Sequence, residues 1–184
     1  MKIILMRHAK VLIENRKIYA NELKSVIEEY DQAPIEEHIE NHAELQKIAD
    51  EVNFTVSSGL RRSVESLALL GREADEVDGI FAEVESPYTQ REIMKLSVYT
   101  WGSWFKLVWR LGYSGGSRSY QESKADALEA SIKLEGFAKE HETVLLLGHG
   151  LKNMLIAKAL KRRGWQESKK MSFKNWGYGI YESV

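Results

Sequence analysis

The chain has 184 residues, of which 43% are hydrophobic and 29% are charged, a balance typical of one soluble globular domain with a sizeable core. Its net charge of -1 offers no electrostatic attraction to nucleic acid or to an anionic membrane. No apolar run approaches the roughly 20 residues that a membrane span needs. Cysteine is absent, which excludes disulfides, thiolate catalysis and cysteine-bound metals and leads us to expect a cytoplasmic protein.

Apolar periodicity predicts strands and helices that alternate along most of the chain. The predicted strands lie at 2–6, 53–57, 79–83, 143–147 and 176–182, the last of them at an edge. The predicted helices lie at 20–30, at about 36–52, from the segment 58–62 to about 70, at 119–140 and at 151–163. This order indicates an α/β fold, a three-layer sandwich with helices on both faces of a mostly parallel central sheet. We expect a single domain over 1–184, because no linker, low-complexity tract or repeat divides it.

The segment SSGLRR at 57–62 leads into a predicted helix with Ser58 as its N-cap. The two arginines of this segment, Arg61 and Arg62, lie in the first turn of that helix. Cations oppose the helix macrodipole at this end, and such a local conflict is typical of functional sites. A bound anion would resolve the conflict, because helix N–H groups and an arginine can hold it together. The alternative is that both arginines are simply solvated.

Two histidines, His38 and His42, lie four residues apart on the second predicted helix, a spacing that can bind a metal ion. No third ligand is recognisable in the sequence, and His42 lies among polar residues. A solvated helix face is therefore favoured, and we expect no metal site and no cofactor.

Residues 84–120 interrupt the alternation of strands and helices and are predicted to form a cap-like insertion that selects the substrate. The apolar residues that follow helical spacing here are Trp101, Trp104, Phe105, Val108 and Leu111. This stripe favours a helix packed in the core. Leu107 and Trp109 lie off the stripe, and the off-stripe aromatic residues are candidates for the mouth of a pocket, because aromatic side chains are common in ligand clefts. We expect substitutions at Trp101, Trp104 or Trp109 to change the preference among substrates.

Five ionisable side chains follow or end the predicted strands. They are Arg7, His8, Arg62, Glu83 and His149. The carboxyl ends of parallel strands share one edge of an open α/β sheet, so these side chains are predicted to converge. Two guanidinium groups and two imidazoles suit a dianionic phosphoryl group. A histidine can take that group covalently, and a nearby carboxyl group can protonate the leaving oxygen.

Three segments resemble motifs of the histidine phosphatase superfamily, the phosphoglycerate mutase-like group, and within it the small phosphatase branch. LMRHAK at 5–10 resembles the family's strand followed by Arg-His-Gly, and SSGLRR at 57–62 resembles its Ser-Ser-x-Leu-x-Arg segment. LGHG at 147–150 resembles the segment of its second histidine. The order and the wide spacing match, and the resemblance spans nearly the whole chain. It implies a phosphoglycerate mutase-like fold and a metal-independent phosphomonoesterase.

The resemblance also implies a role for each of the five strand-end residues. His8 would be the phosphorylated nucleophile, and Arg7, Arg62 and His149 would bind the phosphoryl oxygens. Glu83 would be the proton donor. The partner would be a phosphorylated small molecule or a phosphoprotein, while the oligomeric state stays open.

Three positions depart from the family pattern. Ala9 replaces the usual glycine, and Ser66 stands where the family often has threonine. The segment VESP at 84–87 lacks the Tyr-Gly or Trp-Glu-Gly sequence common in mutases and many phosphatases, which keeps Glu85 as the rival of Glu83. Alternative functions are a phosphomutase and a catalytically weak relative that binds phosphorylated ligands or proteins.

Overall fold

A six-stranded sheet lies at the centre of residues 1–183, the part of the chain that the computed structural model describes. The strands in chain order are β1 (Lys2–Arg7), β2 (Lys17–Ile18), β3 (Phe54–Ser57), β4 (Glu76–Val77), β5 (Leu96–Ser97), β6 (Thr143–Gly148), β7 (Gln166–Lys169) and β8 (Tyr178–Glu182). The central sheet has the order β4-β3-β6-β1-β8-β7, in which β4, β3, β6 and β1 are parallel. β8 is antiparallel to β1, and β7 is antiparallel to β8. β2 and β5 pair with each other outside this sheet.

Helices cover both faces of the sheet. The α-helices of the described residues are α1 (Leu23–Gln32), α2 (His42–Glu51), α3 (Arg61–Leu69), α4 (Val98–Arg110), α5 (Tyr120–His141) and α6 (Gly150–Arg162). Alternate side chains of β1 point to opposite faces, so Ile3 and Leu5 pack with α5 and α6, whereas Ile4 and Met6 pack with α2 and α3. This arrangement confirms the predicted three-layer sandwich with a mostly parallel sheet.

A separate hydrophobic cluster lies outside these layers and joins α1 to α4. Leu23 and Val26 of α1 pack with Trp101 and Phe105 of α4. The short pairing of β2 with β5 completes this cluster through Ile18. Part of the segment 84–120 is therefore packed against the helix that precedes Pro34.

The buried face of α4 differs from the predicted stripe. Trp101, Phe105 and Trp109 are buried, whereas Trp104 is 52% exposed and Leu111 is 80% exposed. Spacing of four residues places the three buried rings on one side of the helix. The prediction that Trp104 and Leu111 pack in the core was wrong.

Trp109 does not lie at a pocket mouth, because it packs inside the main core. It contacts the ring of Tyr120 edge-on at 5.0 Å, and its indole N–H donates to the carbonyl oxygen of Arg118 at 2.8 Å. The indole thus joins the end of α4 to the start of α5, and its polar atom is satisfied.

The predicted strand at 79–83 was wrong. β4 ends at Val77, and the Asp78 side chain then accepts a hydrogen bond from the backbone N–H of Ile80 at 2.8 Å. This cap starts a short 3-10 helix at Gly79–Phe81, after which the chain is extended again. Glu83 consequently follows a helical turn and an extended residue, and not a strand.

Two further predictions of secondary structure are corrected. α2 begins only at His42, after Asn41 in a left-handed conformation with φ 59°, so His38 precedes the helix and shares no helical face with His42. No group of three or more histidine, aspartate and glutamate side chains in residues 1–183 is placed to hold a metal ion.

The last strand, β8, is not an edge, because β7 pairs along its outer side.

No helix within residues 1–183 combines the length and the apolar character that crossing a membrane requires.

Trp109 and Trp104, two of the three tryptophans of α4, provide a direct test of this packing. Trp109→Ala should lower the free energy of unfolding by about 3–5 kcal/mol, because it removes a fully buried ring and leaves a cavity. Trp104→Ala should change it by less than about 1 kcal/mol, because that indole is half in solvent. Chemical denaturation followed by circular dichroism measures both. Equal losses in the two variants would contradict the assignment of the buried face.

Candidate active site

The parallel pairing of β1 with β6 brings the two strand-end histidines together. Arg7 is aligned with Gly148 in the register, and the next backbone N–H, that of His8, donates to the Gly148 carbonyl oxygen at 3.0 Å. The rings of His8 and His149 consequently lie 5.2 Å apart, centroid to centroid. The predicted convergence of these residues is present in the structure.

The His8 ring is neutral and has one defined tautomer. Its Nδ1 lies 2.6 Å from the carbonyl oxygen of Ala9, an acceptor that only an N–H can satisfy. Burial, followed by the charges of Arg62 and Arg7, lowers the pKa of His8 from 6.5 to about 3. The proton therefore stays on Nδ1, and the lone pair of Nε2 is free to act as a nucleophile.

The His149 ring is also neutral and is held by the loop after β3. Ser58 Oγ lies 2.7 Å from His149 Nε2, so Ser58 orients the second histidine. The predicted N-cap role of Ser58 was wrong, because α3 begins at Arg61 with Leu60 as its N-cap. Burial, reinforced by the charge of Arg62, keeps the pKa of His149 well below its ordinary value.

Arg62 lies in the first turn of α3, as predicted, and is almost fully buried. Its Nη1 donates to Asp31 Oδ1 at 2.6 Å, and its guanidinium lies over the ring of Tyr30, 5.0 Å from the centroid. Both partners come from the end of α1. The charge conflict at the start of α3 is thus partly relieved by a carboxylate of the chain itself.

Arg7 and the His8 backbone are held by the loop between β7 and β8. Arg7 Nη1 donates to the carbonyl oxygen of Phe173 at 2.5 Å, and Asn175 Nδ2 donates to the carbonyl oxygen of His8 at 3.1 Å. On the other side, the N–H of Ala9 donates to Ser66 Oγ at 2.8 Å. These contacts fix the end of β1 that His8 follows.

Three buried nitrogen atoms of this cluster have no hydrogen-bond partner. Among residues 1–183, the buried side-chain polar atoms in that state are Arg7 Nε, Arg62 Nε, His149 Nδ1 and Asn153 Oδ1. Buried polar groups are almost always paired, so three such nitrogens around one histidine mark a place for an acceptor-rich ligand. The start of α6 lies at the same point, since His149 is its N-cap.

Glu83 lies beside these residues, and Glu85 does not join them. Oε1 of Glu83 accepts hydrogen bonds from the backbone N–H groups of Lys152, at 3.1 Å, and Val84, at 3.0 Å. Glu85 is exposed, and its Oε2 accepts a long hydrogen bond of 3.4 Å from the N–H of Arg118. The geometry thus places Glu83, and not its rival, at the first turn of α6.

Three residues near the site were missed by the sequence analysis. Tyr30 and Asp31 come from a helix without a motif, although their contact with Arg62 is direct. Lys152 is buried beside Glu83, and this burial lowers the pKa of its ammonium group. Its position three residues after His149, in the first turn of a helix that begins at the strand end, was the available hint.

Solved structures with the same architecture were found, whereas no family model and no curated protein matches the chain. Rv3214 of Mycobacterium tuberculosis aligns with a TM-score of 0.60 and 14% identity, over 97% of this chain and 89% of that one. The mycobacterial glucosyl-3-phosphoglycerate phosphatase Rv2419c, in a complex with VO3, gives 0.57 and 16% over 88% and 82%. The alpha-ribazole phosphatase of Shigella flexneri gives 0.57 and 14% over 87% and 79%.

The chain has a phosphoglycerate mutase-like fold. The resemblance to the histidine phosphatase superfamily that the motifs indicate is thereby confirmed at the level of the fold. In this phosphoglycerate mutase-like fold, the candidate site lies where the carboxyl ends of β1, β3 and β6 meet the start of α6, at the sheet edge where open α/β sheets bind ligands.

The lowered pKa of His8 can be measured directly. An unperturbed histidine changes its charge between about pH 5 and about pH 8, whereas His8 should stay neutral, with its proton on Nδ1, down to about pH 4. A long-range proton–nitrogen NMR titration of the wild type, with His8→Asn for assignment, reports both features. A transition of the His8 ring near its ordinary pKa of 6.5 would contradict the burial described above.

Proposed function

We propose that this chain is a metal-independent phosphatase that hydrolyses phosphomonoesters through a phosphohistidine on His8. The observation that carries the proposal is the set of three unpaired buried nitrogens, from Arg7, Arg62 and His149, around a neutral histidine. A phosphoryl group offers three oxygens, and each arginine can supply a charged donor to them. His149 can supply a neutral donor in the tautomer that carries its proton on Nδ1.

In the first step, the lone pair of His8 Nε2 attacks phosphorus, and the bond between phosphorus and the leaving oxygen breaks. The Nδ1 proton stays on the ring, where its hydrogen bond to the Ala9 carbonyl oxygen stabilises the positive charge that forms. The donors of Arg7 and Arg62 offset the charge of the transferred group. Splitting hydrolysis into two transfers in this way lowers the barrier of each.

Proton transfer is assigned to Glu83. Both backbone hydrogen bonds to this carboxyl group go to Oε1, so Oε2 is left to carry the proton to the leaving oxygen. In the second step the carboxylate takes a proton from water, which attacks the phosphohistidine. Inorganic phosphate leaves, and His8 returns to its neutral form.

The leaving group is assigned to the cavity beside Glu83. Val84, Glu85 and Arg118, from the two ends of the predicted cap-like segment 84–120, line this cavity together with Lys152. The proposal therefore keeps substrate selection in 84–120 but moves it from the tryptophans to the segment's ends. Phosphorylated small molecules and phosphoproteins are both within its scope.

His8→Ala should abolish hydrolysis of p-nitrophenyl phosphate in the presence of EDTA, because no other residue replaces the nucleophile. The wild type, quenched during turnover of a phosphorus-labelled substrate, should carry acid-labile label, and the variant should carry none. His38→Ala is the matched control, since His38 is exposed and lies outside the site. Full activity in His8→Ala, or activity that needs added metal, would refute the mechanism.

Glu83→Gln should slow the hydrolysis of alkyl phosphates by about 10²–10⁴-fold, the usual contribution of general acid catalysis. It should slow that of p-nitrophenyl phosphate far less, because this leaving group departs without a proton. Steady-state kinetics with both substrates measure the difference, and Glu85→Gln serves as the matched carboxyl control. An exchange of the two behaviours would make Glu85 the acid.

A further inference from the structure

One edge of the Arg62 guanidinium group is left without a partner in the chain, and α1 determines which edge that is. Nη1 is occupied by Asp31 at 2.6 Å, and the ring of Tyr30 covers one face of the guanidinium. Nε, by contrast, is buried and has no partner. The free edge is therefore formed by Nε and Nη2, whose parallel N–H groups match two oxygens of a phosphoryl group.

α1 can hold Arg62 in this way because it is anchored elsewhere. Leu23 and Val26 pack into the cluster with Trp101 and Phe105, on the opposite part of the helix from Asp31. Only 4% of the surface of Arg62 is exposed, so few alternative rotamers are open to it once both contacts are made.

We propose that Asp31 is a positioning residue, which fixes the Nε–Nη2 edge of Arg62 for two phosphoryl oxygens. This inference rests on the proposed function only for its kinetic consequences, because phosphate binding can be measured without turnover. Asp31 touches neither the phosphoryl group nor His8 in this scheme and acts through Arg62 alone.

The charge of Asp31 provides an alternative explanation that predicts the opposite change in phosphate affinity. A carboxylate near the pocket repels a bound dianion, so by charge alone its removal should tighten phosphate binding. If Asp31 positions Arg62, its removal should weaken binding instead, because a guanidinium that turns away loses its paired contact. The sign of the change therefore separates positioning from simple neutralisation.

The experiment measures the affinity for inorganic phosphate, by calorimetry and by the phosphate-dependent rise in Tm, in Asp31→Ala, Asp31→Asn and wild type. Asp31→Ala should bind phosphate about 10- to 100-fold more weakly, the range expected for a misplaced binding group. Asp31→Asn should lose less, because its amide oxygen can still accept from Nη1. Glu29→Ala is the matched control, since it removes another ion pair of α1, with Arg16, away from the pocket.

A double-mutant cycle with Arg62→Met tests the route of the effect. Once Arg62 is gone, Asp31→Ala should cause no further loss of phosphate affinity. An undiminished loss in that background, or phosphate binding that is unchanged or tighter in Asp31→Ala, would overturn the proposal. If Asp31→Ala does not fold, Asp31→Asn replaces it in the test. Asp31→Asn should weaken phosphate binding by a smaller factor, and this loss of affinity should disappear in the Arg62→Met background.

Kinetics separate this proposal from the proposed function. If the wild type hydrolyses phosphomonoesters, kcat/KM of Asp31→Ala should fall in parallel with phosphate affinity. If the wild type shows no turnover, the phosphatase assignment fails, whereas the phosphate-binding cycle still decides the role of Asp31.

Discussion

The parallel pairing of β1 with β6 is the constraint on which the candidate site depends. It aligns Arg7 with Gly148, so that the two strands end side by side and the histidines that follow them lie next to each other. The side chain of Asn153 strengthens this junction by donating to the Met6 carbonyl oxygen at 3.0 Å. A side chain at Gly148 would not fit, because its Cβ would lie 2.5 Å from Asn153 Oδ1.

The same pairing explains why both histidines are buried and neutral. Continuous apolar strands on both sides of the junction exclude water, and neutral rings avoid the desolvation of additional charges next to two arginines. Each arginine is held through one Nη atom, Arg7 by a backbone carbonyl and Arg62 by Asp31. Nε of each arginine has no hydrogen-bond partner, and an unpaired buried donor lowers the stability of the fold. Departures of this kind from the rules of stable packing are typical of functional sites.

The features that the sequence predicts best are those carried by long, uninterrupted patterns. The apolar runs before His8 and His149 leave little choice but buried parallel strands, and their shared edge follows from the fold class. The place of Glu83 came from the family resemblance, although the strand assigned before it is a 3-10 turn capped by Asp78. Local capping of this kind competes with strand formation and leaves no periodic signal.

Other features could not be predicted because they depend on tertiary partners. Spacing alone allows α4 to bury either Trp104 or Trp109, and the presence of α5 beside Trp109 decides between them. β7 was missed because all four of its residues are polar and it pairs along one side only. Asp31 reaches Arg62 across 31 positions, a contact that no local pattern encodes.

The neutrality of the two histidines has a consequence for how the site senses acidity. Between weakly acid and weakly alkaline conditions neither histidine contributes a positive charge, so the positive charge close to His8 comes from Arg7 and Arg62. A phosphomonoester does titrate, because its second ionisation lies near pH 6. On the function proposed above, recognition should therefore follow the ionisation of the ligand and not that of the two histidines.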